Sequence, residues 1–478
     1  MGFIINPITP ALGLMMVLLA GCATVGPDYA PPEVSAPAQW NAELEGGPSA
    51  GRVDTQTLAS WWSTLDDSTL TNLIERAIES NLDLRQARNR VREARARRGI
   101  SEAGRFPTID ATGSAKWRRT SEETGSGTER DLYAAGFDAG WELDLFGGIR
   151  RSIEAAEADL GASEEQLRDV LVTLVAEVAL NYVEVRSFQT RLLTARANCD
   201  AQEETYNLVR SRFEAGLTSQ LDVEQAKANL ESTRSQIPTL EIGLEQAKNR
   251  LAVLLGENPG SVHDELAGRE PIPVTSFEIA VGVPADVLRR RPDVRHAERE
   301  LAAQTARIGV ATAELYPKFT LLGSIGFEAL SPGKLFSTGA RFYGAGPSVT
   351  WTIFDAGRIR RNIEVQNALQ EKALLEYEAA ILTALEDVEN ALVAYAKEQV
   401  RRQSLIEASQ ASQRVVDLAL SQYLSGLTNF QSVLDAQRSL LSLKGQLAES
   451  EGQVTSNLIM LYKALGGGWK PLAPDAEK

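Results

Sequence analysis

The sequence predicts a mainly α-helical fold with a small β part, built from one unit written twice. Three observations carry that prediction. The chain overlays itself at an offset of 210 residues without a gap. Each copy of the unit holds two stretches of alternating apolar and polar residues, the period of a strand. Each copy also holds apolar stripes at helical spacing that run well past the length of an ordinary helix.

The repeat is dense in matched residues. Asp83 and Arg85 meet Asp293 and Arg295, Arg97 and Gly99 meet Arg307 and Gly309, and Pro107 meets Pro317. Trp141 meets Trp351, and Ile149, Arg150, Arg151, Ile153 and Glu154 meet Ile359, Arg360, Arg361, Ile363 and Glu364. Leu251, Leu255 and Gly256 meet Leu461, Leu465 and Gly466. A register held this long is a tandem duplication, so what one half builds the other builds too.

The first element of each half is a helix, expected over about 67–103 and again over 292–313. Two strands follow. Ile109, Ala111, Gly113, Ala115 and Trp117 share one face, and Asp110, Thr112, Ser114, Lys116 and Arg118 the other. Tyr133, Phe137, Trp141 and Leu143 alternate in the same way against Asp138, Glu142 and Asp144. The second half is less clean: Phe319, Leu321 and Leu322 are mixed, and Pro347 stands near a strand start. Such strands fit either a half-buried soluble sheet or a transmembrane barrel wall, apolar outside and polar inside. Four strands cannot close a barrel alone, so a barrel needs strands from several chains.

The next elements are very long helices. The stripe Leu171, Leu174, Val178, Val185, Phe188, Leu192, Ala195 and Cys199 lies on one of them. Val433, Leu440, Leu447, Val454 and Leu461 recur every seven residues on another, which is a coiled-coil-like seam. Residues 148–213 as a single helix would extend roughly 98 Å, and the returning helix 220–255 only about 54 Å. Pro238 inside the returning helix predicts a kink there; its repeat equivalent is Ala448. Each long helix turns back at Gly-Leu-Thr, once at Gly216, Leu217 and Thr218 and once at Gly426, Leu427 and Thr428.

Composition excludes several classes. A net charge of −15 and a pI near 4.9 leave no basic stripe for nucleic acid. The chain has two cysteines. Cys22 follows the apolar run ALGLMMVLLAG, and Leu19-Ala20-Gly21-Cys22 reads as a lipobox whose thiol becomes lipidated and whose residues 1–21 are a signal peptide. Residues 1–21 lack the usual basic n-region, since they contain no Lys or Arg. The acyl chains supply membrane affinity at roughly 0.8 kcal/mol per buried methylene. Ala23 after the cysteine fits sorting to the outer membrane. Cys199 then stands alone on an apolar stripe and reads as core.

Catalytic signatures are missing. The histidines, His263 and His296, are far apart, and no CxxC, HExxH, Walker loop, GxSxG or GxGxxG occurs. After processing Met460 is the sole methionine, which excludes a methionine metal relay. The expectation is therefore no enzyme, no metal and no cofactor beyond a covalent lipid on Cys22.

Four stretches carry a family resemblance: ASWWSTLDDSTLTNLIERAIESNLDLRQARNRV, VPADVLRRRPDVRHAERELAAQTARIGVA, SVTWTIFDAGRIRRNI and LYKALGGGW. With VGPDYAPP after the lipobox, the mature chain resembles the outer membrane factor family throughout. These are the TolC-like channels of tripartite efflux pumps, here in the NodT-type lipoprotein branch. The resemblance implies a homotrimer with a twelve-strand β-barrel, four strands from each chain, continued by a periplasmic α-helical coiled-coil barrel. It implies a periplasmic adaptor and a proton-driven inner-membrane transporter as partners. The Gly-Leu-Thr tips would dock the adaptor, and Leu217 and Leu427 would be exposed there. In L-D-A-Q-R, Asp435 would constrict the periplasmic aperture, with Arg438 as its partner in holding the helix. The bland alternative is an i,i+3 surface ion pair between the two. Gln431 stands where relatives carry an apolar plug, and Asp222 is a weaker gate candidate.

The chain is thus read as a signal peptide (1–21), a lipidated extended segment (22–66) and a first outer membrane efflux repeat (67–256). A linker and equatorial segment (257–291), a second repeat (292–466) and a tail (467–478) complete it. In the first repeat the strands fall at about 106–145 and the helical hairpin at about 148–255; in the second they fall at about 316–355 and 357–465. The expected function is a passive, gated exit duct for small molecules. Two alternatives stay open: a type I secretion or metal-efflux outlet of the same family, and a lipid-anchored coiled-coil scaffold without a pore.

Overall fold

The computed structural model describes residues 24–33, 36–42, 48–49, 54–124, 126–273 and 279–469. Its helices are α1 (Thr55–Ala59), α2 (Ser68–Ser80), α3 (Leu82–Ala103), α4 (Gly148–Glu214), α5 (Gln220–Arg234), α6 (Gln236–Leu254), α7 (Pro284–Arg290), α8 (Pro292–Ala313), α9 (Arg358–Leu424) and α10 (Phe430–Ala464). Its strands are β1 (Pro48–Ser49), β2 (Thr108–Arg119), β3 (Glu129–Leu143), β4 (Ile279–Ala280), β5 (Lys318–Ala329) and β6 (Arg341–Thr350). Among the described residues no helix is long and apolar enough to cross a membrane. The chain divides into two compact units, one of Met1–Glu33, Arg90–Glu164 and His296–Ala379, the other of Val34–Asn89, Glu165–Arg295 and Ala380–Lys478.

The first unit is organised by an antiparallel sheet in the order β2-β3-β5-β6. Ala111, Phe137, Ile325 and Tyr343 stand opposite one another across all four strands, and Asp110, Asp138, Ser324 and Gly344 form the next row. Side chains alternate along a strand, so the first row belongs to an apolar face and the second to a polar one. Phe137, Ile325 and Tyr343 are all exposed, so the chain itself does not cover the apolar face. The irregular second half resolves in this register. Phe319 and Leu321 take the apolar face opposite Val349 and Pro347, while Leu322 points the other way, between Gly140 and Gly346. Within the single chain Pro347 lies on an edge strand, β6, where a residue without an N–H is accommodated. β2 is the other edge, and among the described residues neither outer edge has a partner strand.

The helix ends meet this sheet in repeated ways. Trp141 donates its indole N–H to the Arg105 carbonyl at 2.9 Å, and Trp351 donates to Leu315 at 3.0 Å. Asp144 caps α4 by accepting from the amides of Ile149 and Arg150, and Asp355 caps α9 through Ile359. The buried Arg151 donates to the carbonyls of Val25 and Gly26 and to Asp28, which ties down the start of the described chain. Cys22 lies outside the described residues.

The second unit holds the largest core. Leu251, Leu255, Leu461 and Leu465, repeat equivalents in pairs, are all fully buried. Each such leucine contributes about 1.5–3 kcal/mol relative to an exposed one. Trp61 stacks on Tyr462 at 5.2 Å beside them. Arg186 is buried here but answered: it donates to Glu270, Gln189 and the Gly268 carbonyl and lies 4.9 Å from the Tyr182 ring. Cys199 is buried, as its stripe implies.

Two expectations about helix continuity are corrected. The helix expected over 67–103 is interrupted at Asn81, which is extended (ψ 133°). Its side chain accepts from the Leu84 amide at 2.9 Å and donates to the Leu254 carbonyl at 2.8 Å, so it caps α3 and ties it to α6. The kink expected at Pro238 falls earlier, as a break at Ser235 between α5 and α6. Proline then occupies the third position of α6, inside the first turn, where its missing N–H would have had no helical partner. With Ala448 at the equivalent position, α10 runs unbroken.

The paired hairpin tips as candidate functional site

Both tips lie in the second unit and share one backbone device. At the end of α4 the Leu217 amide donates to the Arg212 carbonyl and the Gly216 amide to Phe213, each at 2.8 Å. At the end of α9 Leu427 donates to Gln422 and Gly426 to Tyr423. This is the Schellman arrangement, and it needs a left-handed residue at its turn. Gly216 and Gly426 supply it, with φ of 74° and 73°. The motif ordinarily folds its last apolar residue back onto the helix. Here Leu217 and Leu427 remain 65% and 79% exposed. Two apolar side chains are thus presented to solvent at sites whose backbone is tightly held.

The return helices are capped differently. Ser219 and Asp222 form a reciprocal capping box at the start of α5. Asp222 also accepts from the Thr218 hydroxyl. Asn429 caps α10 through the Ser432 amide at 3.2 Å. One oxygen of the Asp222 carboxylate thus serves the local turn, accepting from both Thr218 and Ser219.

The two tips are joined to each other. Val209 and Ala226 of the first hairpin pack with Tyr423, Phe430, Val433 and Leu434 of the second. The Tyr423 and Phe430 rings lie 5.3 Å apart, and the Arg212 guanidinium lies 5.0 Å from the Tyr423 ring. The Tyr423 hydroxyl and the Thr218 hydroxyl share a hydrogen bond at 3.2 Å. Sequence reasoning missed this tie. The available signal was the repeat itself: Tyr423 stands where the first half has Phe213, and the extra hydroxyl is what reaches Thr218.

The gate candidates are not drawn into one cluster. Asp435 is exposed and accepts from the Gln431 amide at 2.8 Å. Arg438 does not pair with it. Arg438 donates instead to the buried Asn229 of α5 at 2.9 Å, and beside it Gln437 donates to Thr205 of α4 at 2.9 Å. The i,i+3 ion pair is replaced by two polar ties from α10 to the first hairpin. Asp435 stays on the exposed side of α10, while Arg438 links α10 to α5. Leu221, at the repeat equivalent of Gln431, is a further exposed apolar residue on the first tip.

Comparison with known proteins places this geometry. The family model described as outer membrane efflux protein matches residues 73–257 and 283–467, once on each half. Nodulation protein T of Rhizobium leguminosarum bv. trifolii is 34% identical over 463 residues, covering 96% of this chain and 97% of that protein. The toluene efflux pump outer membrane protein TtgI of Pseudomonas putida is 32% identical over 462 residues, covering 95% and 97%. The solved structure of the outer-membrane channel OprN superposes with a TM-score of 0.89 at 37% identity, covering 94% of this chain and all of that one. With both halves matched and near full-length relatives, the chain belongs to the outer membrane efflux protein family.

Proposed function

We propose that this protein is the outer-membrane exit duct of a tripartite efflux system. Three copies close a twelve-strand barrel, four strands from each, and the duct passively conducts small molecules to the exterior. The observation that carries this reading is the open sheet. It has one uncovered apolar face, one polar face and two unpaired edges, in a chain that matches an outer-membrane channel over nearly its whole length. Lipid and neighbouring copies satisfy all of these at once. A soluble scaffold would leave the apolar face in water.

Leu217 and Leu427, with their Gly-Leu-Thr tips, dock a periplasmic adaptor, and Leu221 widens the first contact. An inner-membrane transporter, proton-driven, supplies energy and chooses cargo. Asp435 forms the periplasmic constriction with Gln431, and Arg438 holds its helix through Asn229. A diacylglyceryl group on Cys22 adds a second hold on the membrane.

The test is cargo retention in cells. Deleting the gene raises accumulation of the exported compounds, and the intact chain restores export. The pair Leu217→Asp and Leu427→Asp, made at normal trimer levels, fails to restore it. Unchanged accumulation after deletion, in cells where the partner pump is active, contradicts the reading.

A further inference from the structure

The apolar face of the sheet is charged at one end only. On β6 this face runs through Val349, Pro347, Ala345 and Tyr343 and closes with Arg341, which stands opposite Phe327. On β2 and β3 it closes with Trp117 opposite Asp131 and Arg119 opposite Glu129. These charges all stand at the loop end, away from the helices that the strands lead into. At the helix end the same face holds Ile109, Leu143, Phe319 and Val349, all apolar.

The two repeats charge the loop end oppositely. Shifted by 210, the pair Trp117 and Asp131 becomes Phe327 and Arg341, so an aromatic keeps its place and the charge beside it is inverted. Residues 119–131 carry two arginines and four acids. Arg119 there is already answered, by Glu122 at 3.3 Å and Glu129 at 3.5 Å. Residues 329–354 carry Lys334 and Arg341 and no acid, in a chain of net charge −15. Both cations are exposed, and among the described residues neither side chain has an ion-pair partner. The loop between them leans over the apolar face. Its Phe336 meets the Phe327 ring edge-on at 5.5 Å, on the residue that Arg341 faces. Phe336, Leu330 and Tyr343 all remain exposed.

An apolar wall that ends in two unanswered cations matches an anionic amphiphile. A guanidinium takes phosphate through two parallel hydrogen bonds, and an ammonium adds a point charge. The stems of both side chains can lie along apolar surface while their heads reach the polar layer. A lipid-facing arginine is costly at the middle of a bilayer and nearly free at its edge. We infer that Arg341 and Lys334, with Phe336 and Tyr343, bind a phosphorylated lipid of the outer leaflet. Its phosphate lies on the two cations and its acyl chains along the β5–β6 side of the face. This rests on the barrel proposed above, in which the loop end is the outer end. The acidic loop of the first repeat repels such a headgroup, so the second repeat alone holds it. Arg118 and Arg130 stand at the same end but opposite each other on the polar face, and take no part.

The test places mature trimers in neutral phosphatidylcholine vesicles, with or without a small fraction of bisphosphorylated lipid A, and follows the temperature at which they dissociate. The expected result is a rise with lipid A and none with lipid A stripped of both phosphates. The double variant Lys334→Gln, Arg341→Gln loses the rise, and Arg118→Gln keeps it. No rise in the wild type, a rise that survives removal of the phosphates, or one unchanged in the double variant overturns the lipid site. So does a rise that inorganic phosphate reproduces in vesicles without lipid A. A double variant that already dissociates at a lower temperature in neutral vesicles assigns the two cations to acids of a neighbouring copy, which also overturns it. Wild-type protein that neither assembles nor inserts in any vesicle overturns the barrel itself.

Discussion

Gly216 and Gly426 show what a single residue does here. Both hold a left-handed backbone, and neither has an atom within 4 Å of where a Cβ would go. Alanine at either site meets no clash, so its effect is backbone strain alone, about 1–2 kcal/mol. Thermal dissociation of each variant should register that loss, with the tips still formed. Glu257 makes a prediction in pH. The Arg76 guanidinium, 2.7 Å away, holds its carboxyl below the usual glutamate range. A depressed value means the stabilisation is present in full above about 4.5, the free value, and is lost as pH falls through the lower folded one. Glu257→Gln should therefore flatten the acid limb of the stability curve and leave a smaller gap between variant and wild type at low pH than at neutral pH. The glycines were legible because only they end a helix this way within a repeated Gly-Leu-Thr. The Arg76–Glu257 pair was not, since it joins residues far apart in the sequence and nothing periodic marks it.

At the scale of elements, periodicity identified strands and helices but not where helices break. The alternating runs became β2 and β3, and the long stripes became α4, α9 and α10. Asn81 and Ser235 interrupt helices where the apolar stripe continues. Asn81 acts through a side-chain cap reaching across to Leu254, a tertiary contact invisible to a local pattern. The site was legible in the same uneven way. Leu217 and Leu427 could be read as exposed, because nothing in the turn needs them. The partners of Arg438 could not, because Asn229 comes from another helix. The tie between the tips gives a prediction at this scale. Tyr423→Phe keeps the ring on Phe430 and removes only the bond to Thr218. That loss is worth about 0.5–1.5 kcal/mol, so amide exchange in the first turns of α10 should quicken about two- to tenfold. Unchanged exchange would mean that the apolar cluster alone holds the tips together.

For the whole molecule the duplication is the organising fact. It explains two tips, two tryptophan anchors and two strand pairs from a single unit. It also explains why the isolated chain is incomplete: its sheet ends in two open edges with an uncovered apolar face. On the proposed duct reading, the polar rows of that sheet, including Asp110 and Asp138, face the passage, and the helix that carries Asp435 sets the aperture. The central claim is that this is a duct narrowed at Asp435. Single-channel conductance of the purified protein in a planar bilayer, beside Asp435→Ala, tests it most directly. The account predicts weak conductance from the wild type and a wider opening from the variant. Silence from both, with trimers shown to be intact and inserted, would contradict it.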